Sequence, residues 1–244
     1  MKDLKTYVLE TKKISSIDDY VLEGFRLGKN KVKKEEDNFV DLDLPSSTLW
    51  CKYNVGATCE DDAKSWYGDY FMWGDPESAT SKPCNFTNYK HSNGAIDKLT
   101  KYCPSNKINC WDGKGKPDNK SVLDEEDDMA NINMDGDWKI PTKEQCQELI
   151  DNTTNKWVEN YNDISGLKGI LFTSKTNGNI LFIPAAGCRH GSYVDHEGLD
   201  ISVWSSSCGV VRPAYAYYLY SNSASTYIQR NIRSYGCSVR GVMN

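Results

Sequence analysis

The side chains able to do chemistry are unevenly supplied along this chain. Its 244 residues hold nine cysteines (positions 51, 59, 84, 103, 110, 146, 188, 208 and 237), three histidines (His91, His190, His196) and an acidic run, Asp124, Glu125, Glu126, Asp127 and Asp128. The cysteine count is odd and no two cysteines form a CxxC pair, which argues against a zinc ribbon or a disulfide framework. Free thiols of this kind suit a reducing cytoplasm, although Cys103 and Cys110 are near enough in sequence to pair across a loop. None of the histidines accompanies a GxSxG or similar nucleophile context. Asn131, Asn133 and Asp135 followed by Gly136 copy the first half of an EF-hand loop, but its twelfth position is Thr142 where a bidentate Glu is needed. Cys188, His190 and His196 lack the spacing of a zinc site. The acidic run reads as a solvated face, with a cation or partner site as the alternative. No catalytic residue, no metal and no cofactor are expected.

Bulk composition narrows the remaining classes. With 39% apolar and 26% charged residues and a mean hydropathy of −0.64, no stretch approaches the roughly 18 apolar residues of a membrane span. A net charge of −5 argues against a protein that neutralises nucleic-acid phosphates. The distribution of basic residues is more telling. All 23 lysines lie in residues 1–175, whereas Arg189, Arg212, Arg230, Arg233 and Arg240, five of the six arginines, follow Lys175. The last 69 residues carry seven of the 15 tyrosines, ten serines and three acids, for a formal charge of +2 against −7 for the rest. Tyr offers a large amphipathic contact area at low entropy cost, and Ser and Asn offer adaptable hydrogen bonds. Arg adds a planar set of donors that Lys cannot match. Residues 190–198, 208–215 and 221–235 are therefore the expected binding face. Its candidate ligand contacts are Tyr193, Asp195, His196, Arg212, Tyr215, Tyr217, Ser221, Asn222, Ser223, Tyr227, Gln229, Asn231, Arg233 and Tyr235. Ordinary polar loops of a structural module would share this composition.

The elements that must position these residues fall into two parts. In residues 1–40, Ser15 or Ser16 caps a short helix over residues 17–27, with Asp18 and Asp19 in its first turn and Gly28 beyond its end. Ile17, Val21 and Phe25, joined by Tyr20, form an apolar stripe too short to be stable alone. It is expected to dock, either on its own domain or as an anchor to a larger assembly, ahead of a charged linker over residues 29–38. The start of the chain lacks the apolar core of a secretory signal, so synthesis and folding in a bacterial cytoplasm are expected.

Residues 41–244 read as one α+β domain with few helices and many short twisted strands. A strand is expected at Leu49 and Trp50, a long polar insertion over residues 76–122 and a helix over residues 142–152. Thr142 and Gln145 form a capping box at the start of that helix. Apolar runs on either side of Asn177-Gly178 predict a hairpin, and further strands are expected near Val203 and Trp204, over residues 215–220 and over residues 239–242. Trp50, Trp73, Trp138 and Trp204 are expected in the core.

The order of motifs LPSSTLW, NVGA, GDYFMWGD, LTKYC, LDEEDDMANINMDGDWKIPTKEQCQELI, FIPAAGCR, VWSSS, AYYLY and GCSVRGV resembles the Fibrobacter succinogenes major paralogous domain across about residues 42–244. That family is similar to the formylglycine-generating-enzyme variant of the C-type lectin fold, which also serves the variable proteins of diversity-generating retroelements, phage receptor-binding proteins among them. The resemblance implies a rigid C-type-lectin-like scaffold that presents a binding face from its C-terminal portion. It departs from the pattern at Ser221, where a bulky aromatic is usual, at Gly241, where proline is usual, and in lacking an export signal. The enzyme's closely spaced cysteine pair is missing, since Cys188, Cys208 and Cys237 stand 20 and 29 residues apart. The sugar-coordinating Glu-Pro-Asn and Trp-Asn-Asp motifs of calcium-dependent lectins are absent too.

A lysine-free tail rich in Tyr, Ser and Asn is what adenine-directed mutagenesis of Asn codons would leave, with Glu197, Trp204 and Gln229 as fixed positions. A static binding protein would show the same composition. The expectation is a non-enzymatic phage virion component, in a head or tail fibre, that meets a host-surface protein or glycan. It would join other virion proteins through residues 1–40 and work as a homo-oligomer such as a trimer, with no nucleic-acid partner and no membrane insertion. A decoration protein of the virion and a bacterial surface adhesin are the alternatives, with a formylglycine-generating-type enzyme, which would need two thiols brought together near a groove, as a third.

Overall fold

Short, mostly antiparallel strands with few helices make up the chain from residue 39 onward, an α+β and sheet-rich architecture. The structure is a computed structural model that describes residues 38–244. The helix expected over residues 17–27, with Ile17, Tyr20, Val21 and Phe25, lies outside the described residues.

Four small sheets carry the fold. The first joins β1 (Phe39–Asp41), β2 (Leu49–Asn54) and β13 (Arg240–Met243) in the order β1-β2-β13, so it contains both early and late chain. Strand β3 (Phe71–Met72) belongs to a second sheet with β7 (Cys188–His190), β8 (Tyr193–Asp195) and β12 (Gly236–Cys237), ordered β3-β12-β7-β8. The third is a meander of β4 (Thr153–Val158), β5 (Gly169–Ser174) and β6 (Ile180–Pro184). The fourth holds β9 (Ile201–Cys208), β10 (Tyr215–Ser221) and β11 (Thr226–Ile232), with β10 in the middle. All eight residues of β9 are buried, as expected of a strand covered on both faces.

Among the described residues, two α-helices accompany the sheets. Asp128 caps the short α1 (Met129–Asn133) by accepting the N–H groups of Ala130 and Asn131. The second helix, α2 (Lys143–Asn152), starts with the reciprocal capping box of Thr142 and Gln145, at 3.1 and 2.9 Å, and buries Cys146 and Leu149. Those two side chains join Trp50, Ile170, Phe172, Leu181, Ile183, Ile201, Val203, Leu219 and Val242 in one core shared by three sheets. All four tryptophans expected inside are buried. Trp204 Nε1 donates to the Phe71 carbonyl at 2.7 Å, and Trp73 Nε1 donates to that of Ser205 at 2.8 Å.

The expected hairpin forms between β5 and β6, with Gly178 at φ +76° in its turn. Gly241 is required by close packing, because a Cβ there would stand 2.8 Å from Met134 Sδ and 2.9 Å from the Trp138 ring.

Residues 76–122 are not a bare loop. Ala79, Cys84, Tyr89 and Leu99 pack with Met72 into a core of their own. The Asp118 carboxylate accepts the N–H groups of Tyr102 and Cys103 at 2.7 and 2.9 Å. Cys103 and Cys110 are both free thiols.

Candidate functional site

The tail's polar composition comes from an edge hairpin that shows one face to solvent. β10 and β11 pair with Tyr218 opposite Gln229, Tyr220 opposite Tyr227 and Ala216 opposite Asn231. Side chains alternate across a strand, so these residues share one face while Leu219 and Ile228 turn to the core. Ring centroids step outward from the core along that face. Trp204 to Tyr218 is 6.0 Å, Tyr218 to Tyr220 is 6.2 Å, and Tyr220 to Tyr227 is 5.1 Å. Tyr227, 43% exposed, ends the series. The Asn222 amide donates to the Tyr220 hydroxyl at 2.9 Å, and the Gln229 amide reaches the Tyr227 hydroxyl at 3.4 Å. Partial burial, and then the nearby Asp200 carboxylate, raise the Tyr220 phenol above its ordinary value, so it stays a neutral hydrogen-bonding group.

Beside this hairpin stands a second one, β7 with β8, in which His190 faces Tyr193 and Cys188 faces Asp195. The His190 ring lies 4.4 Å from that of Tyr235 and 5.8 Å from that of Tyr193, and Tyr193 is 58% exposed. The Asn231 side chain links the two hairpins by donating to Cys188 Sγ at 3.4 Å. Cys188 Sγ is in turn 3.4 Å from Cys237 Sγ. Two thiols thus meet in space although they are 49 residues apart in sequence. Burial, and then its neighbour Cys188, hold the Cys237 thiol well above its ordinary value.

The other expected contacts divide between a rim and the interior. Arg212 and Tyr215 line a shallow depression of about 190 Å³ with Gln229 and Arg230. Tyr217 lies under the Lys143 ammonium at 5.0 Å. Ser223 is exposed in the turn between β10 and β11, and His196 is an exposed turn residue with φ +57° that pairs with Asp200 at 3.2 Å.

Two expected contacts are corrected. Ser221 is 0% exposed, because its hydroxyl bonds Thr226 Oγ1 at 2.8 Å inside the hairpin. Arg233 is also 0% exposed. Its guanidinium donates to the carbonyls of Lys101 and Tyr102 and lies 4.8 Å from the Trp73 ring. It fastens the 76–122 insertion to the body and is not available to a ligand. Arg240, counted with the tail's positive charge, is likewise buried and donates to Asn54 Oδ1 at 2.9 Å and to the Cys51 carbonyl at 3.0 Å.

The acidic run is a solvated face only in part, at the exposed Glu125 and Glu126. Asp127 and Asp128 are buried, and Asp128 accepts the Ile140 N–H in addition to capping α1. Asp127 accepts from Lys90 at 2.7 Å and from the Tyr102 hydroxyl at 2.6 Å, with His91 Nε2 3.5 Å away. Burial alone would raise its carboxyl. Hydrogen bonds from His91, Lys101, Lys90 and Tyr102 together hold it well below the usual carboxylate range. Asp124, Glu126 and Asp127 point oxygens toward one another, and the Lys101 ammonium bonds all three. The cluster is an ion-pair network centred on Lys101, buried at Asp127 and open to solvent at Glu126. His91 is buried with Nε2 2.8 Å from the Gly74 carbonyl.

Sequence reasoning missed Tyr218 and Tyr220, which lie in the strand between two candidate segments. The alternation of side chains across the strand expected over residues 215–220 would have put Tyr218 and Tyr220 together on one face. No family model, no curated protein and no solved structure matches the chain.

Proposed function

We propose that this chain is a non-enzymatic binding protein with a C-type-lectin-like domain, a virion component of a phage. It takes hold of a host-surface protein or glycan through the face made by β10, β11 and the β7–β8 hairpin. One observation carries the reading. Tyr220, Tyr227, Gln229 and Asn231 share one solvent-facing strand surface, next to the exposed Tyr193. Aromatic rings with fixed neighbours lose little entropy on binding, and they suit both a protein surface and the apolar face of a sugar ring. Anchorage through residues 1–40 rests on the apolar stripe of Ile17, Tyr20, Val21 and Phe25 and the charged linker that follows it, and the place in a virion rests on the resemblance of the later motifs to a fold that phage receptor-binding proteins use. Several copies on one particle, such as a trimer, would turn weak single contacts into firm attachment.

The test is binding of the purified protein to intact host cells, and to cells treated beforehand with a protease or a glycosidase. Binding lost after one treatment names the ligand class. A protein that fails to bind intact cells at any concentration is a structural or decoration subunit, and the receptor reading falls.

A further inference from the structure

The thiol pair is the strongest feature that the binding reading leaves unused. Gly236 of β12 pairs with Arg189 of β7 in antiparallel register, so the next pair along places Cys237 opposite Cys188. Residues directly opposite one another in such a pair have Cα atoms about 4.5–5.5 Å apart, inside the range a disulfide spans. Their sulfurs are already 3.4 Å apart. Cys188 is half-buried and can be reached from solvent, whereas Cys237 is buried. A third sulfur, that of Cys84, lies on the opposite side of these strands, where a Cβ on Gly236 would meet it at 2.8 Å. The pair is therefore set up to react within itself. The Asn231 amide, 3.4 Å from one sulfur and 3.9 Å from the other, connects it to the outer strand of the candidate face.

We propose that Cys188 and Cys237 form a thiol–disulfide exchange site, with a small-molecule disulfide such as oxidised glutathione as co-reactant. The Cys188 thiolate attacks one sulfur of that disulfide. The small molecule's S–S bond breaks, its first half leaves as a thiolate, and a mixed disulfide forms on Cys188. Cys237 gives up its proton and attacks the Cys188 sulfur of the mixed disulfide, releasing the second half. The protein dithiol is oxidised to one disulfide and the small disulfide is reduced to two thiols, which take up the two protons the cysteines lose. The new bond ties β7 to β12 across 49 residues and fixes the hairpin that carries His190 and Tyr193. Nothing in this step depends on the chain being a receptor.

The experiment exposes the full reduced chain to excess oxidised glutathione, traps the remaining thiols with an alkylating agent, and maps the peptides by mass spectrometry. The expected product is a crosslink of Cys188 to Cys237 with the other seven cysteines alkylated. Its Tm exceeds that of the reduced chain by something on the order of 10 °C, given the loop closed and the size of the domain. Cys237→Ser stops at the glutathione adduct on Cys188, and Cys188→Ser gives neither adduct nor Tm rise. A wild-type chain that carries only the adduct, a crosslink between other cysteines, or no reaction at Cys188 overturns the proposal. So does a crosslink that leaves Tm unchanged, because it would not have formed in the native register.

Discussion

Arg233→Ala separates a buried strut from a ligand contact, and the structure sets its size. Truncation removes the donors of the Lys101 and Tyr102 carbonyls, at about 1–3 kcal/mol for each buried acceptor left unpaired. It also removes a guanidinium 4.8 Å from the Trp73 ring, a desolvated contact of roughly 2 kcal/mol. Some of this returns as Trp73 and Tyr102 relax into the space and water reaches the carbonyls, leaving a net loss of about 3–5 kcal/mol. For a domain of this size each kcal/mol lowers Tm by about 2–4 °C, so the expected drop is on the order of 10 °C. Thermal unfolding followed by circular dichroism measures it. Affinity for host cells, measured well below the melting point, stays within about twofold, equivalent to ~0.4 kcal/mol. An unchanged Tm together with lost binding would refute the reasoning, since it would put Arg233 on the face and show that the register of the last strands is wrong.

Two further outcomes are expected. Because its partners lower the Asp127 carboxyl in the folded state, that carboxyl contributes stability in full above its unfolded value of about 3.9 and loses it as pH falls below that point. Wild-type stability should therefore decline steadily with acid below about pH 4. Asp127→Asn should be less stable at pH 7 and flatter in that range, as followed by urea unfolding at a series of pH values. Removing residues 1–37 leaves β1 and the buried Val40 in place, so the remaining chain should still unfold in one cooperative transition while no longer entering the particle. Normal incorporation of the truncated protein would end the anchor proposal.

Much of the framework could be read from local signals. The Thr142 and Gln145 capping box, the Asn177-Gly178 turn and the four core tryptophans each depend on neighbours close in sequence or on simple burial, and each is found where expected. Strand β11 was harder. Thr226–Ile232 is an edge strand exposed at Tyr227, Gln229 and Arg230, so its Gln, Arg and Asn positions look like loop composition. β4 is an edge strand too, exposed at Thr154, Asn155 and Lys156 in succession.

Charge counts misled where they ignored tertiary partners. Arg233 and Arg240 add to the tail's formal charge, yet backbone carbonyls and an amide deep in the fold hold them. Asp127 was likewise indistinguishable from its solvated neighbours until Lys90, Lys101 and Tyr102 converged on it from the insertion. The meeting of Cys188 with Cys237 depends on the register of β7 against β12, which no spacing along the chain encodes.

The central claim is that the outer face of β10 and β11 holds the ligand, and the double substitution Tyr227→Ala with Gln229→Ala tests it most directly. Gln229 is exposed, and Tyr227 is 43% exposed with its ring 5.1 Å from that of Tyr220, so the two replacements together should cost about 1 kcal/mol of stability. An aromatic anchor in an interface contributes about 2 kcal/mol or more to binding, which corresponds to a loss of roughly 30-fold in affinity. Titration of purified protein onto host cells, beside a control carrying Asn155→Ala and Lys156→Ala on β4 of another sheet, should show that loss for the first variant alone, with Tm lowered by no more than about 5 °C. Equal affinity for the two variants would contradict the account.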